Sequence, residues 1–267
     1  MQNFGLKDKL KIFPVLIKAL LLGILVLVNF QGAIVQNDPS PNWQIFANRD
    51  RVNAVEEQGN IIWMGTNGGL VKLDKSTGEE TIYNSANSGL PHNNIEALAM
   101  DNDGNIWIGI NIRGSAKLVK FDGSNWTIFK GFSSNIPSFH EIQTITADRD
   151  GNIWIGDDLV GLIYYDGTDW KTYKPQNSPL QDDNIQTTVL DNSGNIWVGS
   201  ESGGLAKYDG NNWSVFTTSN SGLPDDNVLA LAVDRHNNKW IGTRGGLVRF
   251  DDSNWTTYDN KYGSSAF

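Results

Sequence analysis

The sequence contains no cysteine and only three histidines among its 267 residues. The absence of cysteine excludes disulfide bonds, thiolate metal sites and an acyl-cysteine lipid anchor. Basic residues are also in the minority, with 21 Lys and Arg against 30 Asp and Glu and a net charge of −9. Because nucleic acids and anionic membranes both require a basic face, this balance argues against either as a partner. Without disulfide bonds or thiolate metal sites, the stability of the fold must come from packing.

Long apolar runs are equally scarce, and the clearest one lies near the N terminus. Residues 19–28 read ALLLGILVLV and follow a basic stretch containing Lys7, Lys9, Lys11 and Lys18. A basic segment, a short apolar core and small residues after it are typical of a secretory signal, and the run is short for a membrane span. We therefore predict a signal peptide over 1–33, a linker over 34–42 and a periplasmic or secreted protein. An uncleaved N-terminal membrane anchor is the alternative.

What the sequence has in abundance is a repeated hexapeptide. GNIWIG occupies 104–109 and 151–156, and GNIWVG occupies 194–199. All ten tryptophans fall into two series. Members of the first are followed two residues later by Gly and are spaced 44, 47, 43 and 43 residues apart: Trp63, Trp107, Trp154, Trp197 and Trp240. Members of the second are followed three residues later by Phe or Tyr: Trp43, Trp126, Trp170, Trp213 and Trp255.

Each period contains four short segments of strand character, here called A, B, C and D. In the second period, strand A lies in NIEALAMD at 94–101, and a DNDGN turn leads to strand B, which is the IWIG segment. Strand C begins with Gly-Gly-Leu in most periods, and strand D contains the second tryptophan. Four strands joined by tight turns, with one longer polar loop per period, predict the blade of a β-propeller in which each tryptophan fills the space between blades.

We therefore predict an all-β fold, a β-propeller of four-stranded antiparallel blades over 43–258 with a tail over 259–267. Five complete repeats are expected, with an extra N-terminal outer strand at Trp43. A closed five-bladed ring is the preferred interpretation; an open arc, or self-association of two chains, is the alternative. The predicted blades are 52–84, 94–130, 142–174, 185–217 and 228–258.

Four motifs together resemble the two-component regulator propeller repeat over about residues 43–258. They are D-x-x-G-N-I-W-I-G, the Gly-Gly-Leu of strand C, the D-G-x-x-W turn and S-G-L-P. The resemblance implies an extracytoplasmic sensor module of the kind found in hybrid histidine kinases, or a stand-alone exported propeller. Because no kinase or DNA-binding pattern follows the repeats in this sequence, we expect no kinase output.

Candidate binding residues come from the loops. Chain direction places the B–C turns and the long D–A loops on one face of a propeller, and loops on a rigid scaffold commonly carry function. The framework of these loops recurs while particular residues differ, as an asymmetric binding surface requires; solvated loop residues without a role are the alternative. The candidates are Asn67, His92, Arg113, His140, Glu141, Asp157, Asp158, Asp183, Glu201, Asp226 and Arg244.

The predicted function is non-catalytic binding of a ligand or protein, without a cofactor or metal. Asp101-x-Asp103-Gly104-Asn105 looks like a truncated calcium loop, but a tight turn accounts for this segment and for its counterparts that lack the middle carboxylate. The resemblance suggests oligosaccharides as ligands, and stacking on sugar would then fall to Phe139, Tyr164 or Tyr165. A protein–protein scaffold at the cell surface is one alternative.

A lyase is the second alternative, since virginiamycin B lyases are similar propellers with a D-G-N-I-W motif. The base of such an enzyme could come only from His92, His140 or Glu141. No G-x-S-x-G, P-loop or H-E-x-x-H motif is present. The expected catalytic set is therefore empty.

Overall fold

The computed structural model describes residues 51–129 and 136–258. These residues form twenty strands and contain no helix. The first ten are β1 (Val52–Gln58), β2 (Ile61–Thr66), β3 (Gly69–Asp74), β4 (Glu80–Tyr83), β5 (Ile95–Met100), β6 (Ile106–Ile112), β7 (Ser115–Phe121), β8 (Trp126–Phe129), β9 (Ile142–Ala147) and β10 (Ile153–Asp157). The second ten are β11 (Gly161–Tyr165), β12 (Trp170–Tyr173), β13 (Ile185–Leu190), β14 (Ile196–Ser200), β15 (Leu205–Tyr208), β16 (Trp213–Phe216), β17 (Val228–Val233), β18 (Lys239–Thr243), β19 (Gly246–Phe250) and β20 (Trp255–Tyr258).

The strands form five sheets of four, each an antiparallel meander of consecutive strands. Blade 1 is β1–β4, blade 2 is β5–β8, blade 3 is β9–β12, blade 4 is β13–β16 and blade 5 is β17–β20. The first strand of each blade packs against the first strand of the next, so β1, β5, β9, β13 and β17 are the inner strands. The predicted five-bladed propeller fold, with four strands in each blade, is confirmed.

Alternation along strand B creates the contacts between blades. The Trp107 ring packs with Ile145 and Ile153 of blade 3, while its neighbours Ile106 and Ile108 pack in a different core with blade 1. Successive residues of a strand point to opposite faces of the sheet, so one IWI segment supplies both junctions of its blade. Burying an indole removes about 150–250 Å² from water, which contributes roughly 4–6 kcal/mol as an upper estimate.

The glycine of each Trp-x-Gly motif permits the close approach of the next blade. A methyl group in place of the Gly109 hydrogen would lie 2.7 Å from Cγ2 of Ile142, the first residue of β9. The equivalent separations are 2.6 Å from Gly156 to Ile185 and 2.4 Å from Gly199 to Val228. Such distances are shorter than carbon atoms tolerate, so no larger residue fits at these positions without moving the blades apart.

The aspartate that opens the A–B turn anchors the tryptophan. In blade 4, Asp191 Oδ2 accepts hydrogen bonds from Nε1 of Trp197 at 2.9 Å and from Nδ2 of Asn195 at 2.8 Å. Its Oδ1 accepts from the backbone N–H groups of Ser193 and Asn195. Asp101, Asp148 and Asp234 bind Trp107, Trp154 and Trp240 in the same way. These carboxylates hold the turn and the indole, which is why the motif resembles a calcium loop.

Within the described residues, blades 5 and 1 pack less closely than the other neighbouring blades. Four pairs of neighbouring inner strands pack closely, but within the described ranges β17 and β1 do not pack in this way. Trp240 is accordingly half-buried, whereas its four counterparts are buried. The extra strand predicted at Trp43 lies outside the described residues, so the closed ring and the open arc both stay predictions.

The remaining organisational predictions concern residues outside those described. They are the signal peptide over 1–33, the linker over 34–42, the outer strand at Trp43 and the tail over 259–267. They stay predictions. Within the described ranges, no segment forms a helix of the length and apolarity that crossing a membrane requires.

Candidate functional site

A β-bulge occurs at the same place in every inner strand. In blade 1, Val52 pairs with Thr66 and Ala54 pairs with Gly65, so Asn53 between them has no partner in the ladder. A bulge bends its strand and re-aims the side chain of the extra residue. The equivalent residues of blades 2 to 5 are Glu96, Gln143, Gln186 and Leu229.

The five bulge residues line one cavity, which we call the central channel. It is bounded by β1, β5, β9, β13 and β17 and has a volume of about 700 Å³. The side formed by blades 1 to 4 presents the polar bulge residues. The inner strand of blade 5 presents apolar residues, namely Leu229, Leu231 and Val233. The channel therefore offers hydrogen-bonding groups and an apolar wall to the same ligand.

Four of the predicted binding residues lie at the mouth of the channel. Glu141 and Asp158 come from blade 3 and its preceding loop, Glu201 from the β14–β15 turn of blade 4, and Arg244 from the β18–β19 turn of blade 5. Asn184 Nδ2 donates a hydrogen bond to Glu201 Oε2 at 2.6 Å, so this carboxylate is already partnered. Turns from different blades thus meet at one opening, as chain direction predicts.

A second hollow of about 410 Å³ lies beside the mouth, between blades 2 and 3. His92, Arg113 and Glu141 line it together with Asn94, Asn111 and Ile112. Glu141 is shared with the central channel. The Nδ1 atom of His92 accepts a hydrogen bond from the backbone N–H of Asn94, which fixes the ring in the loop.

His140 connects the loop before blade 3 to the turn that follows β10. Its Nδ1 lies 2.8 Å from Oδ1 of Asp158, and this hydrogen bond raises the pKa of His140. The neighbouring Asp157 is fully buried and accepts hydrogen bonds from the backbone N–H groups of His140, Leu159 and Val160. Burial raises the pKa of Asp157. The expectation that Asp157 binds a ligand is therefore corrected: its carboxylate is enclosed and holds the two loops together.

The other predicted residues lie outside both hollows. Asn67 accepts a hydrogen bond from Nδ2 of Asn53 and so supports a bulge residue. Asp226 accepts hydrogen bonds from the backbone and side chain of Thr218 within its own loop. Asp183 is half-buried and lines neither the channel nor the second hollow. These three stay predictions as ligand contacts.

Sequence reasoning missed the bulge residues. The signal was present as a polar residue in the second position of four inner strands, namely Asn53 in VNAVEEQ, Glu96 in IEALAM, Gln143 in IQTITA and Gln186 in IQTTVL. In an ordinary strand such a residue indicates a solvent-facing side chain. Only the slip in pairing shows that it faces the channel.

The aromatic residues proposed for sugar stacking belong to the core. Phe139 is buried with blade 3, Tyr165 packs in the same core, and the Tyr164 ring centroid lies 4.7 Å from that of Trp154. No aromatic side chain is among the described residues that line the central channel. Over the described ranges, no three His, Cys, Asp or Glu side chains are placed to hold a metal ion.

Comparison with known proteins agrees with the resemblance seen in the sequence. Three segments match the model of the two component regulator propeller: residues 89–111, 137–158 and 179–202. These three segments resemble the repeat of that family. Each matched segment contains the end of a D–A loop, the inner strand, the A–B turn and the Trp-x-Gly strand. No curated protein sequence matches the chain.

Solved structures share the fold. The extracellular domain of the hybrid two component system BT3049 from B. thetaiotaomicron is 21% identical with a TM-score of 0.68, and the match covers 82% of this chain and 30% of that one. PorZ, a surface component of the type-IX secretion system of Porphyromonas gingivalis, is 18% identical with a TM-score of 0.57 and coverage of 79% and 34%. A streptogramin B lyase is 15% identical with a TM-score of 0.61 and coverage of 77% and 67%.

The chain spans about a third of the length of the first two of these proteins. At such identities the comparison shows the propeller fold. Function must be argued from the site, since propellers support many activities.

Proposed function

We propose that this protein is a non-catalytic recognition module outside the cytoplasm, which binds a ligand or partner protein in the central channel and at its mouth. The observation that carries the proposal is the ring of bulges. In each blade, one residue leaves the strand ladder and lines the channel, and these residues are Asn53, Glu96, Gln143, Gln186 and Leu229.

The chemistry of this ring differs from blade to blade while the framework around it stays constant. Ile95, Ile142, Ile185 and Val228 precede four of the bulges and are fully buried against the previous blade. An unchanging scaffold that displays variable groups in a concave site is suited to recognition. Hydrogen-bonding groups from several blades can then act on one ligand.

The family and the N-terminal sequence support an extracytoplasmic location. The BT3049 domain is extracellular and PorZ is a bacterial surface component. The basic and apolar segments before residue 33 indicate export, to the periplasm or out of the cell, with a membrane anchor as the alternative. In this proposal the protein resembles the sensor module of a two-component regulator.

A partner protein at the cell surface is the main alternative ligand. PorZ, a propeller of similar fold, belongs to a secretion assembly. Interfaces with proteins are broader than sites for small molecules, and the exposed side chains of Leu159, Glu201 and Arg244 lie on the turns around the mouth. The lyase interpretation rests on the fold of the streptogramin B lyase and on His92, His140 and Glu141. Its test is turnover of the bound compound.

A thermal-shift screen against oligosaccharides, peptides and candidate surface proteins tests the proposal, because a ligand of the native state raises the melting temperature. The shift given by a true ligand should fall in the variant Glu96→Gln with Gln186→Ala. The matched control is Glu80→Gln, on the exposed outer strand β4 of blade 1. A shift that survives the channel variant would place binding elsewhere and overturn the proposal, and chemical conversion of the ligand would show an enzyme.

A further inference from the structure

We propose that the central channel takes a short peptide with a free amino group and a free carboxylate, rather than an oligosaccharide. This inference rests on the proposed function, since it assumes that the channel is the binding site. Three properties of the channel walls indicate the chemistry of the ligand. They are the lack of aromatic rings among the described lining residues, the positions of the charged groups and the neutral groups between them.

The absent rings argue against sugar. Oligosaccharides expose C–H faces that binding sites commonly cover with aromatic rings, yet no aromatic side chain lines the described channel. The Trp-x-Gly tryptophans of blades 1 to 4 are buried between blades, and Phe139 and Tyr165 belong to the core between blades 2 and 3. The described walls of this cavity therefore offer no aromatic ring to stack on a sugar.

In the part of the chain that the structure describes, the unpaired acidic and basic side chains of the channel lie on different blades. Glu96 and Glu141 lie on blades 2 and 3, whereas Arg244 lies on blade 5, with blade 4 between them on one side. Among the described residues, neither the Glu96 carboxylate nor the Arg244 guanidinium forms a salt bridge or side-chain hydrogen bond. A ligand with an ammonium group at one end and a carboxylate at the other would supply both missing partners.

The walls between these charges suit a peptide backbone and its side chains. Gln143 and Gln186 carry amides, which both donate and accept hydrogen bonds and so match the N–H and C=O groups of a peptide. The opposite wall carries Leu229, Leu231 and Val233, which can cover an aliphatic side chain.

The overall charge favours a basic peptide. Among the described residues that line the channel, five are acidic and one, Arg244, is basic; the acidic residues are Glu56, Glu96, Glu141, Asp158 and Glu201. Some of these acids already have partners within the protein, as Asp158 has His140. The excess of negative charge nevertheless favours a peptide with an additional lysine or arginine.

Isothermal titration of the full chain with the tripeptide Lys-Leu-Ala tests the inference. The free tripeptide should bind, and acetylation of its amino terminus or amidation of its carboxyl terminus should each weaken binding by about tenfold or more, because each removes a charge-assisted hydrogen bond. Maltotriose serves as the oligosaccharide probe. A tripeptide Glu-Leu-Ala should bind more weakly than Lys-Leu-Ala.

Variants assign each end of the peptide. Arg244→Gln should abolish the difference between the acid and the amide, and Glu96→Gln with Glu141→Gln should abolish the difference between the free and acetylated amine. Glu80→Gln should leave both differences intact. Unchanged melting temperatures would show that these variants are folded.

The remaining outcomes separate the two proposals. Channel-dependent binding of maltotriose without binding of any tripeptide would overturn the peptide class and leave the channel as the site. Binding of neither probe would overturn this inference alone, since the wider screen tests the channel. Tripeptide binding that no channel variant alters would overturn both.

Discussion

Blade 4 and blade 1 hold their equivalent Trp-x-Gly tryptophans in different ways. Trp197 is fully buried, and its Nε1 donates to Asp191 at 2.9 Å. Trp63 is almost as deeply buried, but its Nε1 has no hydrogen-bond acceptor among the described residues. The position of the acceptor is taken by Glu57, which instead forms an ion pair with Lys75. Packing alone therefore suffices to place the indole between two blades.

The difference separates two contributions that the repeat normally combines. The ring buries apolar area in both blades, whereas the aspartate also satisfies the indole N–H and three groups of the turn. An unpartnered buried N–H costs about 1–3 kcal/mol, so the junction of blades 1 and 2 should be weaker than that of blades 4 and 5. Stability in a repeat architecture is approximately a sum over such neighbouring junctions.

Removing the ring should produce the largest effect. We expect Trp197→Ala to lower the free energy of unfolding by roughly 3–5 kcal/mol through cavity formation and the loss of apolar burial. Trp63→Ala should cost less, because it also removes an unpartnered N–H. Urea denaturation of both variants measures the difference, and equal losses would contradict the distinction between the two junctions.

Removing the acceptor should have an intermediate effect. Asp191→Ala leaves Trp197 Nε1 and the Asn195 amide without their acceptor, and hydrogen bonds to a charged group contribute about 1.5–3 kcal/mol. Glu57→Ala in blade 1 is the matched control, since that carboxylate forms only a partly exposed ion pair worth about 0–1 kcal/mol. The same denaturation experiment applies. Comparable losses from the two variants would show that Asp191 stabilises only its turn.

Acid should reproduce the intermediate effect more gradually. Burial opposes ionisation of Asp234, but hydrogen bonds from Asn238, Trp240 and the His236 N–H lower its pKa to about 2. Similar hydrogen bonds lower the pKa of Asp101 and of Asp191 against the effect of burial. Because the folded pKa lies below the unfolded one, this stability is present above about pH 4 and is lost as the pH falls towards 2.

Melting temperatures between pH 6 and pH 2 measure this loss. The protein should lose stability chiefly below pH 4, and the slope should be shallower in Asp191→Ala, which lacks one of the titrating groups. The control Glu57→Ala should show the same slope of melting temperature against pH as the unmodified protein, because Asp191 is intact in it. Parallel pH profiles for the protein and Asp191→Ala would show that the anchor does not titrate with folding.

The sequence predicts the blades well because one residue type marks each junction. A tryptophan followed two residues later by glycine, at a period of 43 to 47 residues, marks both the large side chain that fills a junction and the space that the next blade needs. The anchoring role of Asp191 was not predicted, since only the folded hairpin brings it to an indole six residues away. The weaker packing of blades 5 and 1 within the described residues was covered only by the alternative of an open arc, because the angle between neighbouring sheets has no single residue as its signature.

The candidate site was predicted only in part for a similar reason. Loop residues such as Glu141 and Arg244 are visible as irregularities between regular segments, and both lie at the channel mouth. The bulge residues lie inside regular segments, and their direction depends on a slip in pairing. Asp157 reads as a surface acid beside Asp158, yet three backbone N–H groups draw it into the interior.

The bulges also bear on how such a protein can diverge. Copies of one repeat would begin with the same residue at every inner strand and hence with a uniform channel. Because a bulge residue stands outside the ladder, it can be exchanged without disturbing the pairs on either side of it. Specificity can then drift one blade at a time while the fold is inherited unchanged, and combinatorial libraries at Asn53, Glu96, Gln143, Gln186 and Leu229 should sample new ligands on an intact scaffold.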